Sequence, residues 1–176
     1  MFDEILQRMR DKVSSRQYLM TLHAEEEMSD DNLTIYDIEQ GILTGEILER
    51  QKDKVTAECK YRIRGLTLDA GEVEIIAKLK SNWKTCYHYC IHTLIPGKRQ
   101  MLCDICGSEG VKIRQITRTY GKGKNLLVIE NIPVITCADC GETYLTAETL
   151  HKIEQIKTNR KKLAVERPVE VASFGS

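Results

Sequence analysis

Two Cys-x-x-Cys pairs, Cys103/Cys106 and Cys137/Cys140, lie in the second half of the chain, each followed by glycine in the strings CDICG and CADCG. Two cysteines three positions apart on a tight turn can aim both sulfurs at one ion, and the glycine lets the turn close without a side-chain clash. A pair of such turns completes a tetrahedral four-thiolate site, with Zn–S bonds of about 2.3 Å. Two disulfides or a dithiol redox pair are the competing chemistries. The doubled motif, its matched glycines and the lack of a βαβ pattern around either pair favour zinc. Four thiolates leave no open coordination position, so one structural Zn2+ is expected at Cys103, Cys106, Cys137 and Cys140, and no catalysis by it.

Other residues capable of chemistry are scattered through the first hundred positions. Chemistry on a phosphate ester without a metal needs cations to hold the phosphate and groups to move protons. His23, Arg62, Arg64, His88 and His92 are the catalytic candidates, with Tyr87 and Tyr89 beside the last two. Against that chemistry stand five acids within seven residues, Glu25, Glu26, Glu27, Asp30 and Asp31, which would repel a phosphodiester. Cys86, His88, Cys90 and His92 alternate along one run, so period two places all four on one face of a strand. Positions two apart lie about 6.5–7 Å from each other along a strand, so at most two of these could share an ion; a polar cleft-lining or exposed face is the simpler reading. The turn Tyr120-Gly-Lys-Gly-Lys124 lacks the spacing of a phosphate loop and fits a hairpin. Arg160-Lys-Lys162 fits a solvated helix end, and is the first place to look for a nucleic-acid contact. His151 reads as an ordinary residue of the last helix.

The elements that must position these residues follow from periodicity. Phe2, Ile5, Leu6, Met9 and Val13 recur at helical spacing, predicting an amphipathic helix that ends near Ser14. A second helix is expected through His23–Met28. A third follows Thr34, where Asp37 three places on makes a capping-box start and Ile35, Ile38 and Ile42 supply the buried stripe. Gly41 and Gly45 are expected to punctuate the change to strands at Glu46–Arg50, Tyr61–Thr67, Glu72–Leu79 and Thr85–Leu94, with turns at Asp69–Gly71 and Ser81–Trp83. After Pro96-Gly97 and a short basic link come ribbon strands at Val111–Thr119 and Asn125–Thr136. A final helix is capped by Thr146, with Leu145 and Leu150 as a hydrophobic staple and Ile153 and Ile156 extending the stripe. The expected class is α+β: N-terminal helices with a small antiparallel sheet, then a four-cysteine zinc ribbon with a C-terminal helix.

Charge is balanced, with 26 Lys+Arg against 26 Asp+Glu, and gives no general case for nucleic-acid binding. Residues 1–100 carry 15 basic and 17 acidic side chains and residues 101–176 carry 11 and 9, so the two parts are mildly complementary in sign. No apolar run approaches the ~18 residues of a membrane span, and the acids near the N-terminus are unlike a signal peptide. A cytoplasmic protein with reduced thiols at Cys59, Cys86 and Cys90 is expected.

From residue 101 to about 174 the chain resembles the YgiT-type zinc finger of MqsA-like bacterial antitoxins. Both CxxCG turns, the IENIPVITC approach to the second, the YLTAETL helix start and the VEVASF ending carry the resemblance. It implies a zinc-bearing, toxin-binding platform. The helix-turn-helix domain that binds the operator in that family has no counterpart before the chain stops, so DNA binding is not expected. More weakly, residues 1–97 resemble an uncharacterised bacterial domain family related to RelE and MqsR toxins. His23-Ala24, Met28, Ile38, Gly45-Glu-Ile47 and Ile91–Pro96 carry that likeness. The resemblances imply a RelE-like α+β unit at 1–97 fused to a YgiT-type finger at 98–174: a fused toxin-antitoxin-like protein whose finger masks or braces its neighbour. The alternatives are an RNA endonuclease restrained by its own finger and a nucleic-acid-binding zinc ribbon. The link from Pro96 to Leu102 spans at most about 20–25 Å, so the finger is expected to dock in cis, or to be exchanged within a homodimer. A separate toxin-like protein and RNA are the other candidate partners. The tail Val169–Phe174 alternates like a strand and is expected to add to a free sheet edge.

Overall fold

Helix α1 (Asp3–Ser14) buries Leu6, Met9 and Val13 and carries Asp3 and Glu4 in its first turn, where carboxylates suit the positive end of the helix. This computed structural model describes residues 2–52, 59–79, 102–103 and 105–170. After a turn with Arg16 at φ 53°, the chain enters a three-residue strand, β1 (Leu19–Thr21), buried throughout. Thr21 ends β1 and caps α2 (Leu22–Asp30), its hydroxyl accepting from the Ala24 N–H at 3.2 Å. The expected capping box opens α3 (Ile35–Thr44): the Thr34 N–H donates to Asp37 at 2.9 Å and the Asp37 N–H donates to the Thr34 hydroxyl at 3.3 Å.

Strands β2 (Glu46–Lys52), β3 (Cys59–Leu66) and β4 (Glu72–Lys78) form an antiparallel sheet in that order, against which α3 lies. Gly41 is a helical, buried residue of α3 and not the expected break before the strands. A Cβ built on Gly65 of β3 would sit 1.8 Å from the Gly41 carbonyl oxygen, so helix and strand meet backbone to backbone. Arg10 of α1 fastens the end of α3 by donating to the Gly45 carbonyl at 2.9 Å.

A second antiparallel sheet contains β5 (Val111–Tyr120), β6 (Leu127–Cys137) and β7 (Thr143–Thr146), and its fourth member is β1 from the N-terminus. The order is β1-β7-β6-β5, with Leu19 opposite Thr146, Met20 opposite Leu145 and Thr21 opposite Tyr144. Helix α4 (Ala147–Thr158), capped by Thr146 as expected, packs on β6 and β7 and runs into the short α5 (Arg160–Leu163). Met9, Ile35, Ile42, Ile63 and Ile75 from the first part share one apolar core with Val134, Leu145, Leu150 and Ile153 from the second. Burying each such side chain stabilises by roughly 1.5–3 kcal/mol. The class is α+β.

Three expectations change or fall elsewhere. Residues 85–94, with the alternating Cys86, His88, Cys90 and His92, lie outside the described residues, as do the Ser81–Trp83 turn, the basic link and residues 171–174 of the tail. The described part of the tail, residues 169–170, forms no strand, and Val169 is 60% exposed. Arg160 is not a purely solvated helix end: it donates to the Asn125 and Leu126 carbonyls at 3.0 and 3.2 Å and so braces the turn after β5, where Gly121 and Gly123 take positive φ.

Candidate metal centre

The first cysteine knuckle precedes β5 and the second is the turn between β6 and β7. The two are built alike. In the first, the Cys103 N–H donates to the Ser108 carbonyl at 2.6 Å and the Gly107 N–H to the Cys103 carbonyl at 2.8 Å. In the second, the Cys137 N–H donates to the Glu142 carbonyl at 2.9 Å and the Gly141 N–H to the Cys137 carbonyl at 3.1 Å. Gly107 and Gly141 adopt φ of 81° and 76°, the left-handed geometry for which glycine follows each pair. The Ala138 N–H reaches the Gly110 carbonyl at 3.0 Å and ties one knuckle to the other.

These turns bring the ligand atoms of Cys103, Cys106, Cys137 and Cys140 within 4.8 Å of one another. Cys103 and Cys140 have their sulfurs 3.7 Å apart, as do Cys106 and Cys137. A tetrahedron of sulfurs about 2.3 Å from a central ion has edges of about 3.8 Å, so the donor set fits a tetrahedral thiophilic cation. The Cys137 thiol is drawn down to about 6 by the backbone N–H of Cys140 and the Ser108 hydroxyl. Cys106 is lowered by the same hydroxyl, 3.0 Å away, while burial pushes Cys103 up. Four sulfurs this close cannot all ionise without a cation among them, and a divalent metal resolves that conflict. Cys103 and Cys137 are buried and Cys106 and Cys140 exposed, giving the site a sheltered and an open side.

The catalytic candidates are not assembled in the same way. His23 stands on α2 with its side chain 77% exposed, 3.2 Å from Glu27. Arg62 and Arg64 do share the outer face of β3, where both are engaged by carboxylates: Arg62 lies 3.4 Å from Glu49 and from Glu74, and Arg64 is 2.9 Å from Glu74. His88 and His92 lie outside the described residues.

Two polar clusters carry no signal that the sequence reading used; one joins α2 to the C-terminal sheet and the other joins α3 to α4. Arg118 of β5 reaches Glu25 at 3.0 Å and Glu26 at 2.7 Å on α2. Two of the acids read as phosphate-repelling are therefore the partners of a half-buried arginine. Desolvation raises the Glu25 carboxyl above its ordinary range, with the Arg118 charge opposing it. Burial likewise raises Tyr120, whose ring lies 5.4 Å from the Lys157 ammonium. In the second cluster, His151 of α4 sits 2.8 Å from Glu39 of α3, Tyr18 donates a short hydrogen bond to the same carboxylate, and the Tyr36 ring meets His151 edge-on at 5.1 Å. Burial raises the Tyr18 phenol. His151 is 5% exposed, so it belongs to the interior and not to the helix surface. Spacing held the missing signal: Ala147, Leu150, His151 and Glu154 fall at i, i+3, i+4 and i+7, as do Thr21, Ala24, Glu25 and Met28, and all eight are buried.

Residues 20–85 match a family described as a domain of unknown function (DUF4258), a stretch that opens within β1, passes beyond β4 and does not include the four cysteines. No curated protein and no solved structure matches the chain.

Proposed function

We propose that this chain is a fused toxin-antitoxin-like protein of the cytoplasm, in which a zinc-bearing unit, residues 98–174, clasps a toxin-like unit, residues 1–97, and masks or braces it. The observation that carries the proposal is the sharing of a sheet: β1 is hydrogen-bonded to β7 at the edge of the C-terminal unit and not to β2, β3 or β4. Strand addition of this kind is a common way for one protein to hold another. The Arg118–Glu25/Glu26 and His151–Glu39–Tyr18 contacts support a specific docking face, since each places polar side chains from one unit against those of the other. The tetrahedral sulfur spacing and the all-thiolate donor set support a single structural Zn2+.

The arginines expected to hold RNA are occupied by Glu49 and Glu74, which favours a masking or bracing role over ribonuclease activity. Growth and RNA integrity in cells that make residues 1–97, with or without residues 98–176, test the proposal. Residues 1–97 should be toxic or insoluble alone, and be relieved or made soluble by the second piece. A first piece that is soluble, harmless and indifferent to the second would refute it.

A further inference from the structure

We propose that the four-cysteine site is a metal-responsive latch: a thiophilic divalent cation held there keeps β1 paired with β7, and its removal frees β1 and the start of α2 from the C-terminal sheet. The inference rests on the clasp described above and gives it a means of control.

Leu19 is fully buried, and it packs with Cys103, Cys137 and Tyr144 in a small cluster separate from the main core. A residue of the N-terminal part thus completes the apolar floor of the metal centre. Half of the buried residues in that cluster are cysteines assigned to the metal. So few apolar groups cannot hold their arrangement unaided, and in small thiolate sites the ion supplies the folding energy.

Topology passes this dependence to the clasp. The Cys137–Glu142 knuckle is itself the turn that returns β6 into β7, and β7 pairs with β6 at only two positions, Ile135–Tyr144 and Thr136–Thr143. Its other partner is β1, with three pairs. β7 is therefore held in place by the metal-bearing turn on one side and receives the N-terminal strand on the other. The two faces of the β1–β7 ladder also differ. Met20 and Leu145 point into the main core, whereas Leu19 and Tyr144 point into the cysteine cluster. Opening the metal centre removes the support of one whole face of the ladder. The carbonyl of Tyr18, which accepts from the Ala147 N–H at 3.3 Å, and the Thr21 cap of α2 lie at the two ends of β1 and would be released with it.

Because coupling between sites is reciprocal, β1 must also strengthen metal binding by the factor that the metal strengthens β1 docking. Hydrogen exchange on the full chain, loaded with Zn2+ and then stripped by a chelator, tests this. Removing Zn2+ should speed exchange at Leu19–Thr21 and Ala147 by at least about tenfold while Ile63 and Ile75 in the first sheet keep their protection. Chelator competition should show Leu19→Ala binding Zn2+ at least about tenfold more weakly than the parent, with Ile113→Ala, on the exposed surface of β5, unchanged. Unaltered β1 protection after stripping, with faster exchange confined to residues 103–142, would overturn the latch and leave the clasp standing. Lack of β1 protection even with Zn2+ bound would overturn both. Equal Zn2+ affinity in Leu19→Ala and the parent would remove the reciprocal half, and with it the latch.

Discussion

Removing the Arg118 side chain isolates a charge that the fold has taken out of water. Glu25 is 1% exposed, and Arg118, 3.0 Å from it, is the cation that its carboxylate meets. Breaking a buried pair by deleting one partner costs about 3–5 kcal/mol, because the other charge stays behind uncompensated. The Arg118 side chain is 18% exposed, so some water reaches its end of the pair, and the lower part of that range applies: Arg118→Ala should cost about 3 kcal/mol at pH 7. For a chain of this size that is a fall of about 6–12 °C in Tm.

The pH dependence has a definite sign. Desolvation raises the Glu25 carboxyl in the folded chain, so its contribution to stability is complete below the ordinary carboxylate range and is lost as pH rises through the elevated folded value. Without Arg118 that elevation grows, and the deficit of the variant should shrink as the pH is lowered from 7 toward 4. Urea unfolding of the parent, Arg118→Ala and Arg118→Ala/Glu25→Gln at both pH values measures this. The second substitution should restore more than half of the loss at pH 7 by removing the stranded charge. A loss below about 0.5 kcal/mol at pH 7, or a deficit that widens on acidification, would refute the burial argument, since exposed pairs behave in the first of these ways.

Gly65→Ala should destabilise by more than about 3 kcal/mol in thermal melts, because the new methyl collides with the backbone of α3 at Gly41 and not with a side chain that could turn aside. Thr34→Ala should cost about 1 kcal/mol through loss of the cap, measured by urea unfolding at pH 7. Desolvation raises Asp37, but the Thr34 hydroxyl and N–H and the Leu68 N–H outweigh it and lower the carboxyl on balance. Its contribution is present above the ordinary aspartate value and is lost as pH falls through the lower folded one, so the parent and Asp37→Asn should converge in stability under acid.

Local signals in the chain were legible where one element carried all the information. The capping box at Thr34 needs only Thr and Asp three apart, the knuckles need only cysteine spacing and a glycine, and both stand as read. The Leu19–Thr21 strand was not legible, because three residues are too few for a periodicity and their partner lies in the other half of the chain. Gly41 lies inside α3 rather than ending it, which was not legible for a related reason: a glycine that admits another backbone and one that ends a helix look alike until the opposing Gly65 is known. Glu25 and His151 could have been found. Each continues an apolar stripe at helical spacing, and a charged residue on a buried face implies a partner across an interface. The sign of the α2 acids alone suggests repulsion, where the fold makes ion pairs with Arg118.

Leu19 waits for Thr146, more than 120 positions further along the chain. During synthesis the first strand is made early and its mate late; at 5–20 residues per second the interval is on the order of ten seconds. Throughout that time Leu19-Met20-Thr21 is an apolar segment without a ladder, of the kind that recruits chaperones or neighbouring chains. Because both strands belong to one polypeptide, this vulnerable period lasts about as long as the translation between them.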